Sequence, residues 1–442
     1  MPLPPYQFLL RETPRVSREL FSRVEADYLR FAKAGLPANL EDYLLSEYAI
    51  DVSTAYGGLA IKNPWGKASG QLSMTAPQVA DDADAGLGFV VLKTVIAQDE
   101  TGSRSMQAWA VPEARMVIER ITGKSGEEGW TVSWKGRGWW QSFEDYLALV
   151  REAQRIAAGT GTLIVPSCKF HLPTPDEPEW KIAEYEYTVP QLFEAWRNPE
   201  NGTPPMPLEK DFSPTLAGSD LAKQQEQILI WLETVPKLIR SAKIDHASEN
   251  PVRIGLKIFN ALFEDEFQLE MLRKVHQAGT DRADFFIYGN RLFDPDRAFE
   301  GHKGIAYGGP DLSDRNLRVM SAFQREVSQN NRGSLEWSAT GNIATGKMAL
   351  EYALLGASSF QLHTFFQLPN DQYKMNRGSR TERALYELYF HPQTGFLIWM
   401  HDLAERLELP KEPIRFKDVI GRGLEWAKPG EFERPRQKRN PT

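Results

Sequence analysis

The chain of 442 residues contains a single cysteine, Cys168. That scarcity excludes a disulfide framework, and it excludes any iron–sulfur or zinc centre ligated by several cysteines of this chain. No apolar run reaches the eighteen or so residues that a membrane-spanning helix needs, so no span is expected. The N-terminus, Met1-Pro2-Leu3-Pro4-Pro5, lacks the basic region and apolar core of a secretory signal, and a cytoplasmic location is expected. Positive charge is not in excess either. The net charge is −7, which gives no reason to expect nucleic acid as a partner. What is present is an ordinary globular composition, 41% hydrophobic and 25% charged, long enough for one large domain with additions or for two or three small ones.

Val16, Leu20, Phe21, Val24, Tyr28 and Phe31 recur at helical spacing in residues 1–50, and the pattern resumes at 40–48 after Gly35-Leu36-Pro37. Acidic and basic residues are mixed along this extension. A helical pair that docks on a core fits that mixture better than one lying on a membrane surface. Residues 380–390 and 395–407 also read as helices. Beyond about 427 the chain is rich in proline, arginine and glutamate, the composition of a disordered tail.

Between these ends, short apolar runs alternate with helical patterns. Residues 52–61 read as a hairpin turning at Gly57-Gly58. Eight stretches read as strands: 67–70, 89–95, 130–134, 162–165, 252–258, 285–288, 335–339 and 359–364. Helical segments separate most of them, which predicts an α/β fold, a (β/α)8 TIM barrel whose site lies at the C-terminal strand ends. Residues 171–250 are irregular and proline-containing, with one helix expected at 220–240. They read as an insertion after the fourth strand, suited to a lid or a partner surface.

One stretch carries chemistry on its own. The strand at 335–339 ends in Thr340-Gly341-Asn342, and Ala344-Thr345-Gly346 then opens a helix. Glycine lets backbone approach a ligand, and a helix N-terminus offers unpaired N–H groups and a positive dipole end to an anion. In a barrel, the last two strands commonly supply a phosphate site.

The ordered set of landmarks resembles the flavin-dependent dihydroorotate dehydrogenases and the related barrel of dihydropyrimidine dehydrogenase. It runs through Asn63-Pro64, Ala68-Ser69-Gly70, Val91-Leu92-Lys93-Thr94-Val95, Val132-Ser133-Trp134-Lys135-Gly136, Ser167-Cys168 and Pro251-Val252-Arg253-Ile254-Gly255-Leu256-Lys257. It continues with Tyr288-Gly289-Asn290, Tyr307-Gly308-Gly309-Pro310, Thr340-Gly341-Asn342-Ile343 and 356–364. Together these cover residues 51–370, the expected barrel. The resemblance implies FMN as cofactor and hydride transfer between a small dihydropyrimidine-like substrate and the flavin, with no metal. Ala68 and Ser69 would lie along the flavin ring, Lys93 near ring and substrate, Lys257 at the pyrimidine edge, and Asn290 on ring or substrate. Gly308, Gly309, Gly341, Asn342, His363 and Thr364 would surround the phosphate. Cys168 is the implied catalytic base, with Lys93 beside the reacting groups. An electron acceptor, in one reading a partner protein, completes the expectation, as does a homodimer.

The chain departs from the family at the loop 165–170, Val-Pro-Ser-Cys-Lys-Phe, which lacks both asparagines that flank the family's cysteine and hold the substrate. A polar site that loses such partners discriminates against its old ligand. Lys169, His171, Trp130, Trp134, Trp139 and Trp140 are candidates for a reshaped pocket, with core packing the alternative for the tryptophans. A barrel that only binds or scaffolds remains the rival from outside enzymology.

Overall fold

The computed structural model describes residues 3–423 apart from 113–115, 135–137, 198–203, 213–223, 245–250, 278, 280 and 331–333. The expected tail beyond 427 and the landmark Lys135-Gly136 lie outside these residues.

A ten-stranded parallel sheet forms the centre. Its order is Val95–Ile96, Ser167–Lys169, Met206–Asp211, Val252–Phe259, Phe285–Asn290, Glu336–Thr340, Ala357–Leu362, Trp65–Lys67, Phe89–Val91 and Leu163–Val165. The sheet curls into an α/β barrel-like wall. Helices lie outside it, including Ala76–Asp84, Phe143–Ala157, Ile182–Trp196, Gln225–Ser241, Asp265–His276, Pro310–Gln329 and Gly346–Leu354. The helix Phe143–Ala157 illustrates the local logic. Ser142 and Asp145 form a capping box, and Phe143, Tyr146, Leu147, Val150, Ala153 and Ala157 bury one stripe against the sheet layer.

One end of the wall is plugged. The hairpin of Thr54–Tyr56 and Leu59–Ile61 presents Gly57 and Gly58 N–H groups to the Glu336 carboxylate, both at 2.8 Å. Tyr56 stacks on Phe89 at 4.3 Å and meets Phe285 edge-on at 5.0 Å. With Ile61, Val91, Val165 and Ile287 these rings form a small apolar cluster inside the wall. The plug sits at the N-terminal strand ends, so a ligand can enter only from the C-terminal ends.

The N-terminal helices Arg18–Ala34 and Leu40–Tyr48 are docked rather than free. Tyr28 stacks on Tyr386 at 4.8 Å, and Phe31 packs on Phe390, both from the helix Arg380–Phe390. Among the described residues, no helix is long and apolar enough to cross a membrane.

Two strand expectations need correction. Residues 130–134 belong to an antiparallel hairpin, Met116–Thr122 with Glu128–Trp134, outside the central sheet. The missing member of the sheet is Met206–Asp211, inside the expected insertion. All six of its residues are buried, yet it reads Met-Pro-Leu-Glu-Lys-Asp. A strand buried on both faces is expected to be apolar. Here three charged residues face polar partners within the wall or at its mouth, so the apolar signature is absent. The hairpin strand, in turn, alternates apolar Trp130, Val132 and Trp134 with polar Thr131 and Ser133, which imitates a sheet strand.

The N-terminal strap provides a pH-dependent contact. Glu351 accepts Tyr6 OH (2.9 Å), Leu9 N–H (3.1 Å) and Leu10 N–H (2.8 Å). Burial raises its pKa from 4.5 to about 7, against the lowering effect of these donors. A folded pKa above the unfolded one gives a contribution fully present below the unfolded value and lost as pH rises through the folded one. Chemical denaturation should therefore show stability falling between pH 4.5 and pH 7 more steeply in the wild type than in Glu351→Gln. The variant loses donor partners and starts lower, but its curve should be flatter. Parallel curves would reject the assignment.

Candidate functional site

At the open end lies a cavity of about 700 Å³. That is within the usual range of small-molecule and cofactor pockets. Its wall contains Ala68, Ser69, Lys93, Lys257, Asn290, Gly308, Gly309, Gly341, Asn342, His363 and Thr364, every expected site residue except Cys168. These come from strand ends far apart in the chain, brought together by the curl of the sheet.

The floor is polar and tightly arranged. Lys257 Nζ donates to Gln361 Oε1 at 3.0 Å and lies 3.9 Å from Glu209 Oε2. Glu209 Oε1 accepts from Tyr56 OH and from Gln361 Nε2. Burial raises the Glu209 pKa, and the Lys257 ammonium opposes that rise. Next to Lys257 in register stands Asp211, with Oδ2 at 3.3 Å from Lys169 Nζ. Burial works against the Asp211 anion, but Lys169, Lys257 and Lys210 outweigh it and hold the pKa below the usual carboxylate value. Lys210 itself is pushed down to about 7 by burial. A hydroxyl chain runs from Ser69 to Thr94 (2.8 Å) to Ser167 (3.0 Å).

The opposite wall is built from helix starts. Gly309, at φ +96°, caps the helix Pro310–Gln329. Gly341, at φ +113°, is followed by Asn342 at φ +53°, whose Nδ2 donates to Ser313 Oγ at 3.0 Å. Thr345 Oγ1 accepts Met348 N–H at 3.0 Å and starts the helix Gly346–Leu354. Two helix N-termini thus meet one cavity, which favours an anion. A Cβ at Gly341 would lie 2.8 Å from Asn316 Nδ2 and 2.9 Å from Leu312 Cγ, so the approach tolerates glycine only.

His363 closes this wall. Its Nε2 lies 2.7 Å from Gln367 Nε2, so the ring nitrogen accepts there. Burial first, then the cations Lys67, Arg291, Lys93 and Lys257, push its pKa well below the ordinary value and keep the ring neutral. Of those cations, Lys67 is tied to Asp82 at 2.6 Å. Lys93, Lys257 and Arg291 line the cavity. Arg291 reaches the Val132 carbonyl oxygen, and burial pushes its pKa down to about 9. The two hairpins, 116–134 and 292–307, roof the mouth, and Arg297 joins them through Glu119 at 2.7 Å.

No family model matches the chain, and no curated protein matches it.

The placement of Cys168 differs from expectation. The thiol is fully buried, belongs to the hydrophobic core and does not line the cavity. Successive side chains of a strand point to opposite faces. Ser167 joins the Thr94 hydroxyl on the cavity side, so Cys168 points outward, toward Tyr146 and Tyr185. Burial raises the thiol pKa far above its ordinary value, the reverse of what a base or nucleophile needs. The misplacement follows from the strand count. With 130–134 removed from the sheet, residues 163–169 fall third among its stretches in chain order, and Met206–Asp211 falls fourth. The loop expected to carry the base therefore starts at Phe212, and its next residues, 213–223, lie outside the described residues.

The proposed reshaped pocket is also only partly present. Trp130 lines the cavity, Trp139 is buried in the core, Trp140 is exposed, and the side chain of Trp134 lies outside the described residues. Lys169 acts through Asp211, and His171 pairs with Glu177 at 3.0 Å away from the cavity. Sequence reading missed Asp211, Arg291 and Gln361 as site residues. Gln361 lies inside the landmark stretch 356–364 and Arg291 directly follows Asn290, which was the available signal. Asp211 had none, because its strand was unrecognised.

A buried, protonated thiol is inert toward alkylating reagents. Iodoacetamide should leave Cys168 unmodified in the native protein and modify it fully in denaturant, as read by intact mass. Rapid native alkylation would contradict the core placement.

Proposed function

We propose that this chain is an FMN-dependent oxidoreductase of the dihydroorotate dehydrogenase type, built on a (β/α)8 barrel. The fold part rests on the pairing at the sheet's ends. Phe89–Val91 pairs with Leu163–Val165, and Val95–Ile96 pairs with Ser167–Lys169. Each couple is a continuation of the same two chain stretches, 89–96 and 163–169. Read as one strand each, they reduce the ten segments to eight and join the ends of the order into a ring.

The observation that carries the functional part is the single cavity that gathers the flavin-site residues the resemblance implies. The residues fit FMN in kind. Two helix N-termini and the turns at Gly308-Gly309 and Gly341-Asn342 would hold its phosphate, with neutral His363 beside them. Lys257 would face the ring, where FMN supplies a two-electron acceptor for a substrate hydride. A fixed ammonium there favours negative charge arriving on its neighbour. Gln361 and Glu209 hold that ammonium in place, and Lys93 adds a second cation nearby. The roofing hairpins narrow the mouth. The substrate is a small dihydropyrimidine-like molecule, and the electron acceptor is either a second small molecule or a partner protein.

The burial of Cys168 favours one rival reading, a barrel that binds flavin without turning it over. In the proposed enzyme, the proton acceptor comes instead from the cavity wall.

The visible spectrum of the purified protein is the test. It should be yellow and release FMN, and apo-protein should bind FMN at least about 100-fold more tightly than riboflavin, since charge-assisted bonds to phosphate contribute about 1.5–3 kcal/mol each. Anaerobic bleaching by a dihydropyrimidine separates the enzyme from the binding-only barrel. A colourless protein that takes up no FMN overturns the proposal.

A further inference from the structure

Asp211 is the one carboxylate among the strand-end residues that line the cavity floor beside Lys93, Lys257 and Asn290. Its side chain is 12% exposed, and that exposure opens on the cavity it lines. Oδ2 lies 3.3 Å from Lys169 Nζ. A nearly buried carboxylate therefore borders the space open to a ligand.

An ionised carboxylate only accepts hydrogen bonds. A ligand carbonyl or carboxylate placed against it would leave two acceptors facing each other at low dielectric, an expensive arrangement. A ligand ammonium is disfavoured for a different reason: Lys169 and Lys257 both act on Asp211 already, and Lys93 lines the same floor. What remains is a neutral donor, an N–H or an O–H. Asn290 supplies the complementary group. Its Oδ1 accepts Arg291 N–H at 3.2 Å, which assigns its NH2 to the donor role. Asp211 and Asn290 sit two strands apart, on Met206–Asp211 and Phe285–Asn290 with Val252–Phe259 between them. Neighbouring strands are about 4.8 Å apart, so the two backbones are separated by on the order of 10 Å. That span suits an acceptor and a donor converging on opposite ends of one small polar edge.

We propose that Asp211 is the specificity-determining residue of this cavity: it selects neutral ligands that present a polar hydrogen, such as an amide N–H, to its carboxylate. The inference rests on the flavin reading for what the ligand does, but not for how it is recognised.

The test uses the full chain loaded with FMN where FMN binds, and isothermal titration with uracil and with 1,3-dimethyluracil, which lacks both N–H groups. The wild type should prefer uracil by at least about tenfold, in line with the loss of a hydrogen bond to a charged group. Asp211→Asn and Asp211→Ala, each with its fold checked by circular dichroism, should lose most of that preference. A preference due only to the size of the methyl groups would persist in both variants and would overturn the inference. Failure of the wild type to bind uracil would do the same. The titration reads heat rather than colour, so the two proposals fail separately. A colourless chain that still discriminates sinks the flavin reading alone, and a yellow chain that does not discriminate sinks this one alone.

Discussion

The ammonium of Lys257 has to be kept inside a curled sheet, and much of the site follows from how that is done. Taking a cation out of water is costly unless opposite charge and hydrogen bonds replace the solvent. Here the replacements come from three separate pieces of chain. Gln361 arrives on the strand Ala357–Leu362, Glu209 on Met206–Asp211, and Tyr56 on the plugging hairpin. The same contacts that make Lys257 tolerable therefore tie the plug to the floor of the cavity. Removing any one partner would leave another buried polar group unsatisfied, so the network holds together or loosens as a unit.

A second consequence concerns charge balance. Asp82 neutralises Lys67, and Asp211 answers Lys169. Lys93, Lys257 and Arg291 line a space that the carboxylates Asp211, Glu127 and Glu128 also line, opposite two helix N-termini, with His363 held neutral. The helix side of this cavity favours an anionic group. On the flavin reading, the guest brings its phosphate to the helix side and its ring to the lysine side.

The parts of this arrangement that the sequence revealed share a physical cause. Lys93 and Lys257 each end an apolar run, so a strand with a charged end is legible without any tertiary information. Gly341-Asn342 and Gly308-Gly309 are legible because a positive φ at a strand-to-helix turn restricts the choice of residue. The strand Met206–Asp211 was not legible, because its Glu209 and Asp211 are satisfied by Lys257 and Lys169 from neighbouring strands. Nothing within Met-Pro-Leu-Glu-Lys-Asp signals those partners. Missing it moved the strand count by one and carried Cys168 into a role its outward orientation denies. A single residue's face on a strand depends on the register of the whole sheet, which local pattern does not contain.

This difference separates the two halves of the cavity. The helix side is made largely of backbone: N–H groups, glycine turns and capped helix starts. Substitution there is constrained by steric fit, as the close approach of Asn316 and Leu312 to Gly341 illustrates. The floor is made of side chains on strand ends, where a residue can change while the strand beneath keeps its register. Asp211 can stand on its strand as long as Lys169 stands on the next one. A charge at such a strand end is therefore tied to its counter-charge on the neighbouring strand, as Asp211 is to Lys169.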